Sequence, residues 1–181
     1  MKLANHHKMG RLILGKMEVN DMQLRKRLFY LGNLFPDLTG SFIFRRHSYM
    51  SCGQRFKKLL KRLTGGNFDK NGILFSFYSG VMSHYICDFL CFSHTTAFKG
   101  NVREHCRYEK HQVVREDDML PFNRQISMNY SYSELIQGVE NCFNKCEQML
   151  SKHTGVFIFD IPLAVYVTIW TASAIYLNVE I

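Results

Sequence analysis

The chain has 181 residues and a mass of 21.3 kDa, enough for one well-filled core and too little for two ordinary domains. Hydrophobic residues at 46% against charged residues at 21% exclude an intrinsically disordered chain, and only 3 Pro and 12 Gly speak against a turn-rich β-sandwich. With 23 Lys+Arg against 15 Asp+Glu the formal charge is +8, which favours anionic partners without choosing among phospholipid heads, nucleic acid and phosphoesters.

Taken in chain order, helical spacing dominates. His6–Leu14 and Met22–Leu31 carry apolar residues three and four apart, and Asn20-Asp21 reads as the start of the second. Gly32 to Gly40, with Pro36 and polar residues between apolar ones, reads as a loop. Phe56–Leu63 is a short basic amphipathic helix ended by Gly65-Gly66, and Lys70–Phe92 is a long apolar helix expected at the centre of the fold. A polar loop, His94–Asn101, leads to a highly charged helix over Val102–Val114. Ser131–Leu150 opens with Ser131 and has Glu134 three residues on, the spacing of a capping box. Ile161–Val179 is the last helix, with Asp160 and Pro162 as its start signal. It is nineteen residues long and carries Thr168, Thr171 and Ser173, so it reads as a buried bundle helix, with a membrane span as the alternative. The expectation is a single all-α domain, a multi-helix bundle spanning residues 1–181.

The amino-terminal stretch offers only a short apolar run at Leu12–Leu14, too short for a signal-peptide core, so a cytoplasmic location is expected. Six cysteines form no CxxC pair, which disfavours a zinc ribbon or a thioredoxin-type site and leaves buried free thiols. His111 lies off the face of its helix neighbours and reads as a surface residue.

The chemistry concentrates in Ser83-His84-Tyr-Ile-Cys-Asp88-Phe-Leu-Cys-Phe-Ser-His94. His84 and Asp88 are four apart and share a helix face, so an imidazole and a carboxylate meet at their tips. Their neighbours Phe77, Val81, Tyr85, Phe89 and Phe92 carry the pair into an apolar interior, where an ionised carboxylate needs a partner or a cation. His94 follows just past the helix end, and His105-x3-Glu109 repeats the His/carboxylate spacing on the next helix. A single such pair is ordinarily a salt bridge or a hydrogen-bonded core histidine. Two on consecutive helices, with a histidine between them, point to a dinuclear or multinuclear metal cleft.

These residues resemble the zinc-dependent phospholipase C family: the segment Gly80–His94 with its His-x3-Asp-x5-His spacing, followed by His105-x3-Glu109. The resemblance implies an all-helical fold related to the S1/P1-type nucleases, with two or three zinc ions in one cleft. It implies that His84 and Asp88 ligate a first zinc, Asp88 bridging to another, and that His94, His105 and Glu109 hold a second. Asp37, in the segment Gly32-Asn-Leu-Phe-Pro-Asp37, would be a ligand of the first zinc and the general base, and His47 its remaining ligand. His6, or else His7, would serve the third site. The secreted members use a free amino terminus on a tryptophan for that site, whereas this chain begins Met1-Lys-Leu-Ala-Asn. The third site is therefore complete only if Met1 or a processed end supplies those groups.

Histidine and carboxylate ligands without cysteine suit a catalytic zinc better than a closed structural one. Zinc lowers the pKa of a water it holds to about 7 and stabilises charge developing on a phosphodiester. The implied activity is zinc-dependent hydrolysis of a phospholipid or related phosphoester; the alternatives are a non-catalytic helical metal-binding protein or a nuclease-like phosphodiesterase. Arg45-Arg46 with Arg55, Lys57, Lys58, Lys61 and Arg62 form a basic segment suited to an anionic membrane surface, and no nucleic-acid-binding signature accompanies it.

Overall fold

The computed structural model describes residues 1–17, 25–39, 47–66, 68–69, 72–112, 114, 130–152 and 160–177. Among them are seven α-helices and no strand: α1 (Leu3–Lys16), α2 (Lys26–Leu38), α3 (Tyr49–Thr64), α4 (Ile73–Leu90), α5 (Val102–His111), α6 (Tyr132–Lys152) and α7 (Asp160–Leu177), with a short 3-10 turn at Phe92–His94. The all-α expectation holds.

Helix α4 is the axis of the molecule. It is apolar on nearly every side, and from Ser79 to Leu90 every residue is buried, the signature of a helix enclosed by others. It packs most extensively against α2, then α7 and α3, while α1 rests on α2 and α7. Tyr49 and Phe56 of α3, Phe89 of α4 and Phe143 of α6 form an aromatic seam, with ring centroids 5.1–6.1 Å apart.

Helix α7 is a core helix. Ala164, Val167, Ala172 and Ala174 are buried in the bundle, and no described helix is long and apolar enough to cross a membrane. Its hydroxyls do not conflict with burial: Thr168 donates to the Ala164 carbonyl at 2.7 Å and Thr171 to the Val167 carbonyl at 2.8 Å. The Ser131/Glu134 capping box forms as expected, with Ser131 N–H donating to Glu134 at 2.7 Å and Glu134 N–H donating to Ser131 Oγ at 3.3 Å.

The bounds of α4 and α5 are shorter than expected, Ile73–Leu90 for Lys70–Phe92 and Val102–His111 for Val102–Val114, and two larger differences fall in α2 and α3. The segment Gly32 to Thr39 is not a loop: α2 runs through it to Leu38, and Pro36 lies inside the helix, near its end. The glycine read as punctuation serves packing instead. A Cβ on Gly32 would stand 1.9 Å from the Phe77 carbonyl oxygen of α4, and one on Gly80 2.1 Å from the Phe29 carbonyl oxygen of α2. The two helices touch backbone to backbone at this glycine pair. Helix α3 likewise begins at Tyr49, earlier than Phe56, with Ser48 and Ser51 forming a capping box, and it ends at Gly65-Gly66, where Gly66 takes φ +68°. The expected helix start at Asn20-Asp21, and Arg45-Arg46, lie outside the described residues.

Cys52, Cys87, Cys91 and Cys146 are buried free thiols, Cys142 is half-buried, and Cys106 departs from that pattern by being exposed.

Candidate metal centre

Six parts of the bundle converge on one place. Helix α4 provides His84 and Asp88 from successive turns, both fully buried. Helix α2 brings Asp37, α1 brings His6, and His47 precedes the cap of α3. The 3-10 turn carries His94, and α5 carries His105 and Glu109 on one face.

The ligand atoms fall into two groups, His6/Asp37/His84/Asp88 and His94/His105/Glu109, each within 4.8 Å. Asp88 Oδ2 lies 3.0 Å from His47 Nδ1 and 3.2 Å from His84 Nε2, and Asp37 Oδ1 is 3.8 Å from both imidazoles. The other oxygen, Asp88 Oδ1, faces His6 Nε2 at 3.1 Å and the Met1 α-amino nitrogen at 2.8 Å. In the second group, Glu109 Oε1 lies 2.9 Å from His94 Nε2 and 2.8 Å from His105 Nε2. The Met1 nitrogen sits between the groups, also 2.8 Å from Glu109 Oε1 and 2.8 Å from His94 Nε2. All eight residues singled out from the sequence are thus brought together. His7 is exposed, against Tyr30, so His6 is the one that enters. His111 is on the surface, its Nδ1 against the Arg107 carbonyl of its own helix.

A second layer orients the first. His84 Nδ1 lies 2.9 Å from the Asn33 carbonyl, an acceptor only, so Nδ1 carries the proton and Nε2 turns its lone pair inward. The Asn33 amide in turn donates to the His6 carbonyl at 2.6 Å. Asn5 donates to the Gln112 carbonyl at 3.0 Å, tying α1 to the end of α5.

Electrostatics follow from burial and proximity. Burial opposes the charge of Asp88, yet His94, the amino terminus, His6 and His84 outweigh it and hold the carboxyl well below the usual range. Glu109 is also held low against its burial, by His105 and His94. Burial, then His84, lowers His6 to about 3, and burial lowers His94 to about 4. Burial also works against the Met1 ammonium, but the surrounding groups, Asp88 first, raise it to about 12. Burial raises Asp37, which is the more open carboxylate at 25% exposure.

This donor set fits zinc. Ligands about 2.1 Å from a tetrahedral zinc stand about 3.4 Å from one another, and the separations around Asp88 Oδ2 and Asp37 Oδ1 run from 3.0 to 3.8 Å. His84 Nε2 and Asp88 Oδ2 also oppose lone pair to lone pair at 3.2 Å, which only a cation or a proton between them relieves.

An all-helical bundle closing imidazoles and carboxylates around one buried aspartate defines the class: a helical domain with a histidine/carboxylate cluster that could hold metal ions. The family model for zinc dependent phospholipase C matches residues 5–153, and the chain belongs to that family, part of the phospholipase C/P1 nuclease superfamily. No curated protein and no solved structure matches it. The family is zinc-dependent, and the two residue groups could hold the metal.

Sequence reasoning missed Asn33 and Asn5 as orienting residues. Asn33 sits in the segment read as a loop, where asparagine is ordinary, and its role rests on a backbone carbonyl that no side-chain pattern reveals.

Proposed function

We propose that this protein is a zinc-dependent phosphodiester hydrolase of phospholipase C type, acting on a phospholipid or a related phosphoester. The observation that carries the reading is Asp88, whose two oxygens face two different sets of nitrogen donors while a third set stands beside them. His47, His84, Asp37 and Asp88 would hold a first zinc; His94, His105 and Glu109 a second; His6 and Asp88 would contribute to a third. Bound zinc supplies Lewis acidity and lowers the pKa of water.

The chain's own residues do the rest. Asp37, at the open edge of the cluster, takes up the proton of the attacking water. Asp88 fixes the two neighbouring ligand groups relative to each other, and the Asn33 carbonyl keeps His84 in the tautomer that ligates. The exposed Arg55, Lys58, Lys61 and Arg62 of α3 would meet an anionic substrate surface.

Metal content by elemental mass spectrometry, with His84→Ala and His105→Ala, tests the site. Two or three zinc per chain, reduced in each variant, supports it; fewer than one, unchanged by either, defeats it. Hydrolysis of a chromogenic phosphodiester by zinc-loaded protein separates an enzyme from a helical metal-binding protein without turnover.

A further inference from the structure

Helix α5 carries two of the three residues of the second ligand group yet has little apolar anchorage. Of its ten residues only Tyr108 is buried, and its hydrophobic contribution alone does not fix the helix in rotation or register. Beyond α5, at the first residue of α7, stands Asp160, 1% exposed and outside the ligand cluster. One of its oxygens, Oδ2, collects donors from three places: the Phe92 N–H at 2.8 Å, the Tyr108 hydroxyl, and Gln112 Nε2 at 3.4 Å. Phe92 opens the 3-10 turn two residues before His94, Tyr108 is the residue before Glu109, and Gln112 caps α5.

We propose that Asp160 is a positioning residue for the second zinc site, a carboxylate that locks the 3-10 turn and α5 together so that His94 and Glu109 meet at ligand distance. The reading rests on the zinc assignment above but not on turnover. One carboxylate oxygen sets the relative position of two separately built segments, and those segments carry the two ligands that lie 2.9 Å apart. The first group does not depend on it: His84 and Asp88 share one helix and are oriented from α2 through Asn33. Asn5, reaching the Gln112 carbonyl from α1, gives the end of α5 a second tie, so the loss of Asp160 loosens the helix without releasing it. A carboxylate placed only to start α7 would have no effect on zinc.

The test is zinc titration of the full chain against a chromophoric chelator, with His105→Ala identifying which class of bound metal belongs to the second site. Asp160→Ala and Tyr108→Phe are expected to weaken that class on the order of tenfold or more, the usual cost of losing an outer-shell partner. The other class keeps its wild-type affinity. Asp160→Asn retains a carbonyl oxygen for Phe92 N–H and Tyr108, and is expected to restore most of the loss. Tyr108→Phe keeps the buried ring, so it carries the test if Asp160→Ala does not fold. Wild-type zinc binding in Tyr108→Phe, or an equal loss from both classes, overturns the proposal. Absence of hydrolysis in the wild type would defeat the proposed enzymatic function and leave this titration still decisive.

Discussion

Replacing Asp88 by Asn tests the shared-ligand reading most severely. The substitution keeps shape and volume but exchanges one acceptor oxygen for an amide and removes the charge. Because Oδ2 faces His47 and His84 while Oδ1 faces His6 and the Met1 nitrogen, one substitution damages the first and third sites and leaves the His94/His105/Glu109 site intact. With free zinc at about 100 times Kd, each occupied site stabilises the fold by about 2.7 kcal/mol. For a domain of this size 1 kcal/mol moves Tm by about 2–4 °C. Asp88→Asn should therefore lose roughly 11–22 °C of zinc-dependent Tm, and His105→Ala roughly 5–11 °C. In chelator the variant should also be less stable by about 3 kcal/mol, because a buried ammonium loses one of its two carboxylates. Thermal melts with zinc and with chelator, paired with elemental analysis, read both effects. Wild-type zinc content in Asp88→Asn, or a zinc-dependent shift no smaller than that of His105→Ala, would refute the reasoning.

Three further outcomes are expected. Asp37→Asn should lower kcat on a chromogenic phosphodiester by about 10²–10⁴-fold, the range for loss of a general base, and unchanged kcat would remove Asp37 from the reaction. Gly32→Ala should lower stability by about 3 kcal/mol in denaturant titration, since its Cβ would stand 1.9 Å from the Phe77 carbonyl oxygen and α2 must leave α4; a shift under about 0.5 kcal/mol would contradict the backbone contact. Burial raises Asp160 from 3.8 to about 6 despite its donors, so the folded state holds a proton that the unfolded state has released. Stability from this group is full below about pH 4 and is lost as pH rises through about 6, by about 3 kcal/mol in all. The difference between wild-type and Asp160→Asn stability should follow that slope in chelator, since the imidazoles contribute equally to both; a flat difference would contradict it.

Much of the fold and most of the centre were legible because they depend on local spacing. The apolar run of α4, the capping box of α6 and the start of α7 are set by residues within a few positions of one another, and each formed. The pairs His84/Asp88 and His105/Glu109 were readable for the same reason: four residues along a helix bring two tips to one place. The aromatic neighbours of the first pair already implied that its carboxylate would be buried.

What the sequence alone determined is the inventory: an all-helical chain, two His/carboxylate pairs, and a resemblance that assigned partners to them. Tertiary structure decided how that inventory is used. Gly32 has the same local character in a turn as in a helix crossing, and only the approach of the α4 backbone makes it a packing residue and turns the expected loop into helix. Asp160 reads as a helix start in either case, and only the arrival of Phe92 and Tyr108 makes it a joint between the 3-10 turn and α5. The choice of His6 over His7, and the place of the Met1 nitrogen between the two groups, depend on the rotation of α1 against α2 and α4. Periodicity gives the face of a helix, but its rotation and depth are fixed by the neighbours it packs against.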